Sequence, residues 1–434
     1  MDTYVIPTDL YLEPTQRELE LTTDQYVPFL NNSNNLLDEI TSILNTSPTN
    51  RGIIQQKTTL SVGDGFLVKK GSQNTLLAAL KKAVQFIVGG DELQALNEYI
   101  NKVNPEGESL QQLSWKLFFD FWTYGNAFVE VIKIKTGSMS SYVQRHVPVS
   151  KCRPKKVNRR GEVEYVGVSN RWEENESNPV EVNDLPMFPN FARVEGFEGE
   201  RSIIHIKSYA PGFFYWGVPD WVSAFLWGEM EYRIPKYNQS KFSNGYTPSA
   251  IVSFFGQMSQ QEAQGLVDNF VDKFTNTGNN SKMFVQVLSD ETMKADVQLL
   301  KDDSEGNFMQ LSELARQNIV TAHRWTMSLS GMQTAGSLGS NQQIRTEFEI
   351  LQNMVIKPVQ KVFLSQWLNP TISDAANFLG LNFRDVSLAF KSSTPISFLG
   401  DLDVKTVLTI DEQREILGFD PIKQQTNDEP NTSK

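Results

Sequence analysis

The residues best suited to chemistry in this sequence are three histidines, because imidazole is a common general base and zinc ligand. His146, His205 and His323 lie far apart, and none stands four residues from another as helical zinc motifs require. His205 lies in an apolar run, so we predict a half-buried strand residue whose ring is hydrogen-bonded. His323 lies beside Arg324 on a predicted helix, where we expect a solvated side chain. The three histidines therefore indicate structural positions.

The nucleophiles give equally little support for catalysis. The sequence contains neither the G-x-S-x-G elbow of serine hydrolases nor the G-x-x-x-x-G-K-[ST] loop that cradles phosphate. Cys152 is the single cysteine, which excludes intrachain disulfides and cysteine-rich metal sites. Lys151 and Arg153 would lower the pKa of its thiol, but no histidine partner is near in sequence, so a reactive thiol is disfavoured. We predict no catalytic residue, no cofactor and no bound metal.

Clusters of like charge offer two further candidate sites. The acidic pairs Asp290-Glu291 and Asp302-Asp303 have the residue types of a two-carboxylate hydrolase, but sequence spacing does not bring them to one cleft. Solvated loop charge is the favoured interpretation of both pairs. A basic run could contact phosphate, although a solvated surface or a subunit contact is favoured there. Its residues are Arg145, Lys151, Arg153, Lys155, Lys156, Arg159 and Arg160.

The composition narrows the class of protein. The 434 residues include 40 Lys and Arg against 51 Asp and Glu, a formal charge of −11, so the chain has no global electrostatic footprint for wrapping nucleic acid. Any DNA contact must be local or weak. With 39% hydrophobic residues and a mean hydropathy of −0.36, the chain is expected to fold in water into two or three domains. Neither a signal peptide nor a membrane span is predicted, so we expect synthesis into a cytoplasm.

The first half of the chain predicts helices beside an antiparallel or mixed sheet. Residues 1–50 are rich in Asn, Thr and Ser and predict an arm or a loosely packed lead-in. Apolar residues at helical spacing follow from Asn74 and from Leu93, and Ser109 and Gln112 have the spacing of a capping box that opens another helix. Strands are predicted at 126–134, 161–168 and 203–206, with a long surface excursion at 173–200.

From residue 218 the pattern is mainly helical. Pro219 is placed to open a long helix that continues to Asn244, with a kink at Pro235. Strands at 250–255 and 283–288 bracket a helix that begins with a capping box at Ser259–Glu262. A second long helix is predicted from about Phe308 to Ser328. The sequence therefore predicts a strand–helix–strand unit inserted between two long helices.

The last hundred residues continue this pattern. An uncharged stretch with three glycines predicts a loop over 328–340, and a helix interrupted at Pro358 follows it. A strand is predicted at 386–390, and a short helix is predicted to start near Thr409 or Asp411. The tail from residue 424 is polar and is expected to be disordered.

The order of these elements and several motifs resemble the portal protein family of tailed bacteriophages. The runs that carry the resemblance are GNAFVEVI at 125–132, IHIK at 204–207, YWGVP at 215–219 and FSNGYTPS at 242–249. The loop before Asn341 with the Pro358 helix resembles the family's tunnel loop and following helix. DEQREILGF at 411–419 resembles its terminal helix. The resemblance covers about residues 75–422, and it departs at the N-terminal arm and at a C-terminus too short for a large helical crown.

The resemblance implies an α+β subunit with a mixed wing, a two-helix stem and a small strand–helix–strand clip, which assembles into a ring, usually of twelve copies. The implied divisions are 1–74 (arm and start of the wing), 75–217 (wing), 218–245 (first stem helix), 246–300 (clip), 301–328 (second stem helix), 329–341 (tunnel loop), 342–423 (wing helix and C-terminal wing with a short crown) and 424–434 (disordered tail). Such a ring sits at one capsid vertex, where double-stranded DNA is packaged and later ejected.

The resemblance also implies three sets of site residues. The DNA-facing tunnel-loop set is Gly331, Met332, Gln333, Thr334, Gly336, Ser337, Ser340 and Asn341. The clip set, facing the packaging ATPase or an adaptor, is Ser259, Gln260, Glu262, Asn276, Asn279 and Asn280. The set expected at the stem interface between subunits is Trp221, Phe225, Tyr232, Leu311, Ile319 and Trp325. The DNA contact would be without base readout.

The implied partners are other copies of the chain, the large terminase subunit, the major capsid protein, a head-completion or adaptor protein and double-stranded DNA, in a virion assembled in the host cytoplasm. Two alternatives stay open at this point. Another phage neck or tail ring would share the assembly but lack the order of long helix, clip and long helix. An acidic cytosolic hydrolase would be small and monomeric and would turn over a sugar or phosphate ester.

Overall fold

The structure is a computed structural model that describes residues 25–29, 36–70, 96, 98–170, 172, 181–244, 251–255, 259, 261–262, 264–265, 284–288, 304–331, 341–380 and 386–392. The chain divides into two compact units. The first contains residues 1–55, 123–125 and 208–332, and the second contains residues 56–122, 126–207 and 333–434. The helix predicted from Asn74, the helix near Thr409 and the tail lie outside the described residues, whereas the helix predicted from Leu93 is described at 96 and 98–101, which are helical.

The N-terminal part of the first unit contains two helices, α1 (Leu36–Thr46) and α2 (Pro48–Val62), the latter running on into the second unit. The prediction of a loosely packed lead-in is therefore wrong over residues 36–50. Apolar residues at helical spacing bury one side of α1, with Ile40 fully buried. Ser47 caps α2, because its Oγ accepts a bond from the Asn50 amide at 3.3 Å, and Pro48 follows at the first helical position.

In the second unit α2 is followed by β1 (Phe66–Lys70), which pairs antiparallel with β11 (Val386–Phe390), the predicted C-terminal strand. Helix α3 (Leu110–Tyr124) opens with the predicted capping box. Gln112 N donates to Ser109 Oγ at 3.2 Å, and Ser109 N donates to Gln112 Oε1 at 2.9 Å. These reciprocal bonds satisfy backbone groups that a helix start leaves free.

An antiparallel sheet forms the core of the second unit, which is one of the two arrangements that the sequence left open. Its strands, in spatial order, are β3 (Met139–Val147), β2 (Asn126–Thr136), β8 (Glu200–Lys207) and β7 (Ala192–Arg193). Strand β2 lies between two neighbours, so its residues 126–129 are fully buried. A smaller antiparallel sheet contains β4 (Cys152–Pro154), β5 (Tyr165–Val168) and β6 (Asn183–Pro186). The predicted strand over 161–168 therefore starts four residues later, after a turn.

Two long helices and a two-stranded sheet make up most of the rest of the first unit. A 3₁₀ turn (Asp220–Ala224) leads into α4 (Phe225–Asn244), which contains Pro235. Strands β9 (Ile251–Phe255) and β10 (Phe284–Leu288) pair in parallel, and α5 (Ser304–Ala322) follows. Parallel neighbours need a crossover, and residues 261–262 and 264–265 between them are helical. The predicted strand–helix–strand unit between two long helices is confirmed.

Residues 341–379 form one helical segment with two wide turns. Helices α6 (Asn341–Leu351), α7 (Lys357–Phe363) and α8 (Asn369–Leu379) are joined by π turns at Gln352–Ile356 and Leu364–Leu368. Each π turn comes directly before a proline-containing helix start, because a proline lacks the N–H of a regular turn and crowds the carbonyl four residues earlier. The interruption predicted at Pro358 is confirmed, and the one at Pro370 was not foreseen.

Helices α1 and α4 approach closely at Gly228. A Cβ at this position would lie 2.7 Å from Ile43 Cγ2 and 2.8 Å from Asn50 Nδ2, distances that Cβ atoms essentially never show. Gly52, a glycine within α2, has open space around the position of its Cβ. Both glycines lie within helices, but only Gly228 is required for packing. Gly52 can therefore serve as the control position.

We expect Gly228→Ala to lower the free energy of unfolding by ~1–3 kcal/mol, because the added methyl group overpacks the contact between α1 and α4. Gly52→Ala should leave stability unchanged or raise it by up to ~1 kcal/mol, since alanine favours a helix. Urea unfolding of both variants measures the difference. Equal effects of the two substitutions would contradict the close approach.

Candidate functional site

A buried carboxylate joins three segments of the first unit. Glu231 on α4 is only 6% exposed, and its side chain accepts hydrogen bonds from Ser47 Oγ, Thr49 Oγ1 and, at 3.4 Å, Thr49 N. Arg316 Nε on α5 lies 3.8 Å from Glu231 Oε1. Negative charge at the first turn of a helix is favourable because it meets unpaired N–H groups and the positive end of the helix dipole. Glu231 therefore holds the N-terminus of α2 against the two long helices.

His323 extends this cluster at the end of α5. Its Nε2 lies 3.0 Å from Asn50 Oδ1, a distance at which the ring N–H donates, and Asn50 Nδ2 donates to Ser47 Oγ at 2.8 Å. The imidazole also stacks on Trp221, with ring centres 6.1 Å apart. The expectation of a solvated His323 is wrong, since the residue is 1% exposed. We refer to Ser47, Thr49, Asn50, Glu231 and His323 as the clasp.

Helix α5 ends at Ala322, six residues before the predicted end. Trp325 N donates to Val320 O at 3.0 Å and Arg324 N donates to Thr321 O at 2.9 Å, the two bonds of a Schellman motif. Arg324 supplies the left-handed residue of this motif, with φ 52°. Glycine usually occupies that position, so residue type gave no sign of the helix end. An ion pair between Arg324 Nη2 and Asp220 Oδ2 offsets part of the strain.

The structure describes all six residues of the expected stem interface. Trp221, Phe225, Ile319 and Trp325 are at most 7% exposed within the single chain, so they belong to the subunit core. Their aromatic pattern marked a buried helix face, which sequence alone does not distinguish from an interface. Tyr232 is 43% exposed, and Leu311 is half-buried.

Other apolar side chains cover the outer surfaces of the two long helices. Leu226 and Tyr237 on α4 and Met309 and Leu314 on α5 are between 44% and 78% exposed. Beside Tyr232 and Tyr237, a groove of about 630 Å³ runs between α1 and α4 and is also lined by Arg233, Lys236, Glu39 and Ser42. This face combines aromatic rings with both signs of charge, which suits a protein contact.

The clip and the loop are described only in part. Ser259 and Glu262 form the predicted capping box, in which Ser259 N and Oγ donate to Glu262 Oε2 at 3.0 and 2.8 Å. These bonds lower the pKa of Glu262, the backbone bond contributing most. Gly331 is exposed with φ 76°, and Asn341 is the first residue of α6. The remaining clip and loop residues, Gln260, Asn276, Asn279, Asn280, Met332, Gln333, Thr334, Gly336, Ser337 and Ser340, lie outside the described residues.

The other side chains that could take part in chemistry, those of two histidines and the cysteine, have structural roles. His205 is a half-buried strand residue with a hydrogen-bonded ring, as predicted, since its Nε2 lies 2.9 Å from Asn126 Oδ1. The ring also stacks on Phe128, and burial with the nearby Lys207 charge lowers its pKa to about 3. His146 lies 2.7 Å from Asp120, a carboxylate that sequence spacing did not reveal. Burial, followed by the charges of Asp120 and Glu130, raises the pKa of the Cys152 thiol, which agrees with the disfavoured reactive thiol.

The part of the chain that the structure describes contains neither a cluster of metal-ligand side chains nor a membrane-spanning helix. No three His, Cys, Asp or Glu side chains in it are grouped as metal ligands would be. No described helix has the length and apolarity to cross a bilayer. The acidic pairs at 290–291 and 302–303 lie outside these residues.

A sequence model of the phage portal protein family matches residues 88–418. The chain belongs to this family. The probable portal protein of Haemophilus phage HP1 (strain HP1c1) is 23% identical to this portal-family chain over 192 residues, 44% of the chain and 54% of the relative. The chain thus spans about half the length of that curated relative. The family resemblance read from the sequence is confirmed.

Two solved structures share the fold of this portal-family chain. One is the neck of an empty gene transfer agent (GTA) particle computed with C6 symmetry, with a TM-score of 0.54 and 12% identity. The other is the neck of a native GTA particle computed with C12 symmetry, with a TM-score of 0.52 and 13% identity. Each match covers 88% of this chain and 94% of the matched chain. The predicted α+β portal-type fold is confirmed.

We expect Glu231→Gln to lower the free energy of unfolding by ~1–3 kcal/mol, because an amide cannot accept from all the donors at the start of α2. Glu229→Gln is the control, since Glu229 lies two residues earlier on α4 and pairs at 3.3 Å with Arg233, whose side chain is 60% exposed. It should change stability by less than ~0.5 kcal/mol. Urea unfolding of the variants tests this, and equal losses would remove the special role of Glu231.

The pH dependence of stability should reflect His205. Its folded pKa of about 3 lies below the ordinary value of 6.5, so the unfolded chain binds a proton that the folded chain does not. The stability that the neutral ring contributes is therefore fully present above pH 6.5 and is lost progressively as the pH falls from 6.5 toward 3. The slope should approach ~1.4 kcal/mol per pH unit. Unfolding curves between pH 7.5 and 4 should be flatter for His205→Gln, and identical slopes would contradict this assignment.

Proposed function

We propose that this chain forms an oligomeric ring at one vertex of a phage-type capsid and that double-stranded DNA is packaged and ejected through its channel. The observation that carries the proposal is the order of α4, the parallel β9–β10 unit and α5 in a chain of the portal family. Two long helices with a small insert at their far end suit a stem with a clip. Portal proteins are structural, and we propose no catalysis.

A ring needs two different complementary surfaces on each subunit, because a cyclic contact is heterologous. We assign these surfaces to the outer faces of the stem helices. One is the outer surface of α4, which exposes Leu226, Tyr232 and Tyr237, and the other is the outer surface of α5, which exposes Met309 and Leu314. This assignment replaces the buried aromatic residues that the sequence pattern favoured, because those side chains are already packed inside the subunit.

The channel would be lined by the loop between α5 and α6. Its sequence from Gly331 to Ser340 has no charged residue, so it would touch the DNA backbone through small polar groups without base readout. The net charge of −11 per subunit supports weak sticking, since many subunits of the same sign repel a polyanion. Weak attraction suits a conduit through which DNA must move.

The same proposal names the partners. The clip with Ser259 and Glu262 would face the large terminase subunit during packaging and a head-completion or adaptor protein afterwards. The wing would contact the major capsid protein. The protein would assemble in the host cytoplasm and reside at the portal vertex of the virion. The relatives in GTA necks, with C6 and C12 symmetry, support a ring of about twelve subunits.

Solution mass tests the ring and its interface together. Purified protein should give particles of about a dozen 49.2 kDa subunits by light scattering. Met309→Glu should reduce assembly strongly, because a charge would be buried at the contact. Met139→Glu is the matched control, since Met139 is 77% and Met309 78% exposed.

The masses of the wild-type protein and the two methionine variants test the ring and the position of its interface separately. A wild-type protein that stays monomeric at every concentration and salt would contradict the ring. Rings that tolerate Met309→Glu as well as Met139→Glu would move the interface away from α5. Circular dichroism should show that both variants remain folded, because both methionine side chains are exposed.

A further inference from the structure

The basic run at 145–160 gives the chain a local charge opposite to its overall charge. These 16 residues contain seven of the 40 Lys and Arg and none of the 51 Asp and Glu, whereas the whole chain has a formal charge of −11. In the structure the second half of the run forms a hairpin between β4 and β5. Its tip, Asn158–Gly161, has no apolar side chain and contains two arginines.

Asn158 fixes the shape of this tip. Its Oδ1 accepts bonds from Arg160 N at 2.8 Å and Glu162 N at 3.0 Å, and its carbonyl accepts from Gly161 N at 3.0 Å. Gly161 has φ 79°, a conformation that glycine adopts without strain. Because the backbone is held by its own hydrogen bonds, little further ordering of the backbone is needed when the arginines meet a ligand.

The cations along the hairpin have different environments. At the base, Lys155 pairs with Asp184 at 2.7 Å, and Arg153 lies 4.4 Å from the centre of the Trp172 ring. At the tip, Arg159 and Arg160 are exposed, and no described carboxylate lies within ion-pair distance of either guanidinium. The cations at the base of the hairpin are therefore engaged by neighbouring side chains, whereas the tip presents two guanidinium groups to solvent.

We propose that the Arg159–Arg160 tip binds the phosphate backbone of double-stranded DNA, at a site separate from the channel loop. Guanidinium groups match phosphate oxygens with paired hydrogen bonds. An acidic protein partner is less suited, because the tip has no apolar side chain to serve as the buried anchor on which protein interfaces depend. The proposal rests on the proposed function only for the presence of DNA beside the subunit.

Neighbouring carboxylates limit the strength of this contact. Glu164 accepts a bond from Asn158 Nδ2 at 2.7 Å, and Glu162 is exposed next to the tip. Both would repel phosphate, so the binding should be weak and steeply dependent on salt. A contact of this kind can hold DNA briefly and release it.

Binding of the full-length protein to a fluorescent 30-base-pair duplex, followed by anisotropy at several salt concentrations, tests the site. The double variant Arg159→Gln/Arg160→Gln should raise the Kd about 10-fold or more near 0.1 M salt and reduce the steepness of the salt dependence by up to ~2. Glu162→Gln should lower the Kd. The control Lys102→Gln/Arg193→Gln, two exposed cations outside the run, should have a smaller effect than the tip variant.

Equal losses in the tip and control variants would overturn the proposal, because only overall charge would then matter. Binding of poly-glutamate at the tip without binding of DNA would also overturn it and would assign the hairpin to an acidic protein. Solution mass of the same variants keeps the two proposals apart. Rings that form normally and bind DNA unchanged would remove the hairpin site and leave the portal assignment intact.

Discussion

The first unit depends on one buried carboxylate, that of Glu231. An ionised carboxylate away from water is tolerated only when donors surround it, and here the donors come from the start of α2 and from Arg316 on α5. Helix α4 carries the carboxylate, so three segments must be correctly placed for the charge to be satisfied. Gly228 lies three residues earlier on α4 and lets α1 approach closely enough for this to happen.

The last residue of the clasp, His323, lies shortly before the loop that we propose lines the channel. His323 closes the clasp, and the next residues, Arg324 and Trp325, stop α5 through the Schellman motif. The direction in which the chain enters the loop is thus set by a buried imidazole, a left-handed arginine and the Asp220 ion pair.

Much of this fold was predictable from local chemistry. Both capping boxes, the strands at 126–134 and 203–206, and the strand–helix–strand insert follow from side-chain hydrogen bonding, alternation and apolar spacing. The Ser47-Pro48 pair was a helix-start signal inside a polar segment that otherwise indicated a loose arm. Contacts between distant residues were not predictable, among them Glu231 with Ser47 and His323 with Asn50. The aromatic stripe of Trp221 and Phe225 was correctly recognised as apolar, but burial inside the chain and burial between chains give the same pattern.

The most direct test of the account is a three-dimensional reconstruction of the purified, assembled protein by electron cryomicroscopy. We predict a closed ring with a central channel that admits one DNA duplex, lined by residues 331–341, with Trp221 and Glu231 inside each subunit. Contacts between neighbours should involve the exposed faces of α4 and α5. Particles without a channel, or rings that carry residues 331–341 on their outer wall, would contradict the account.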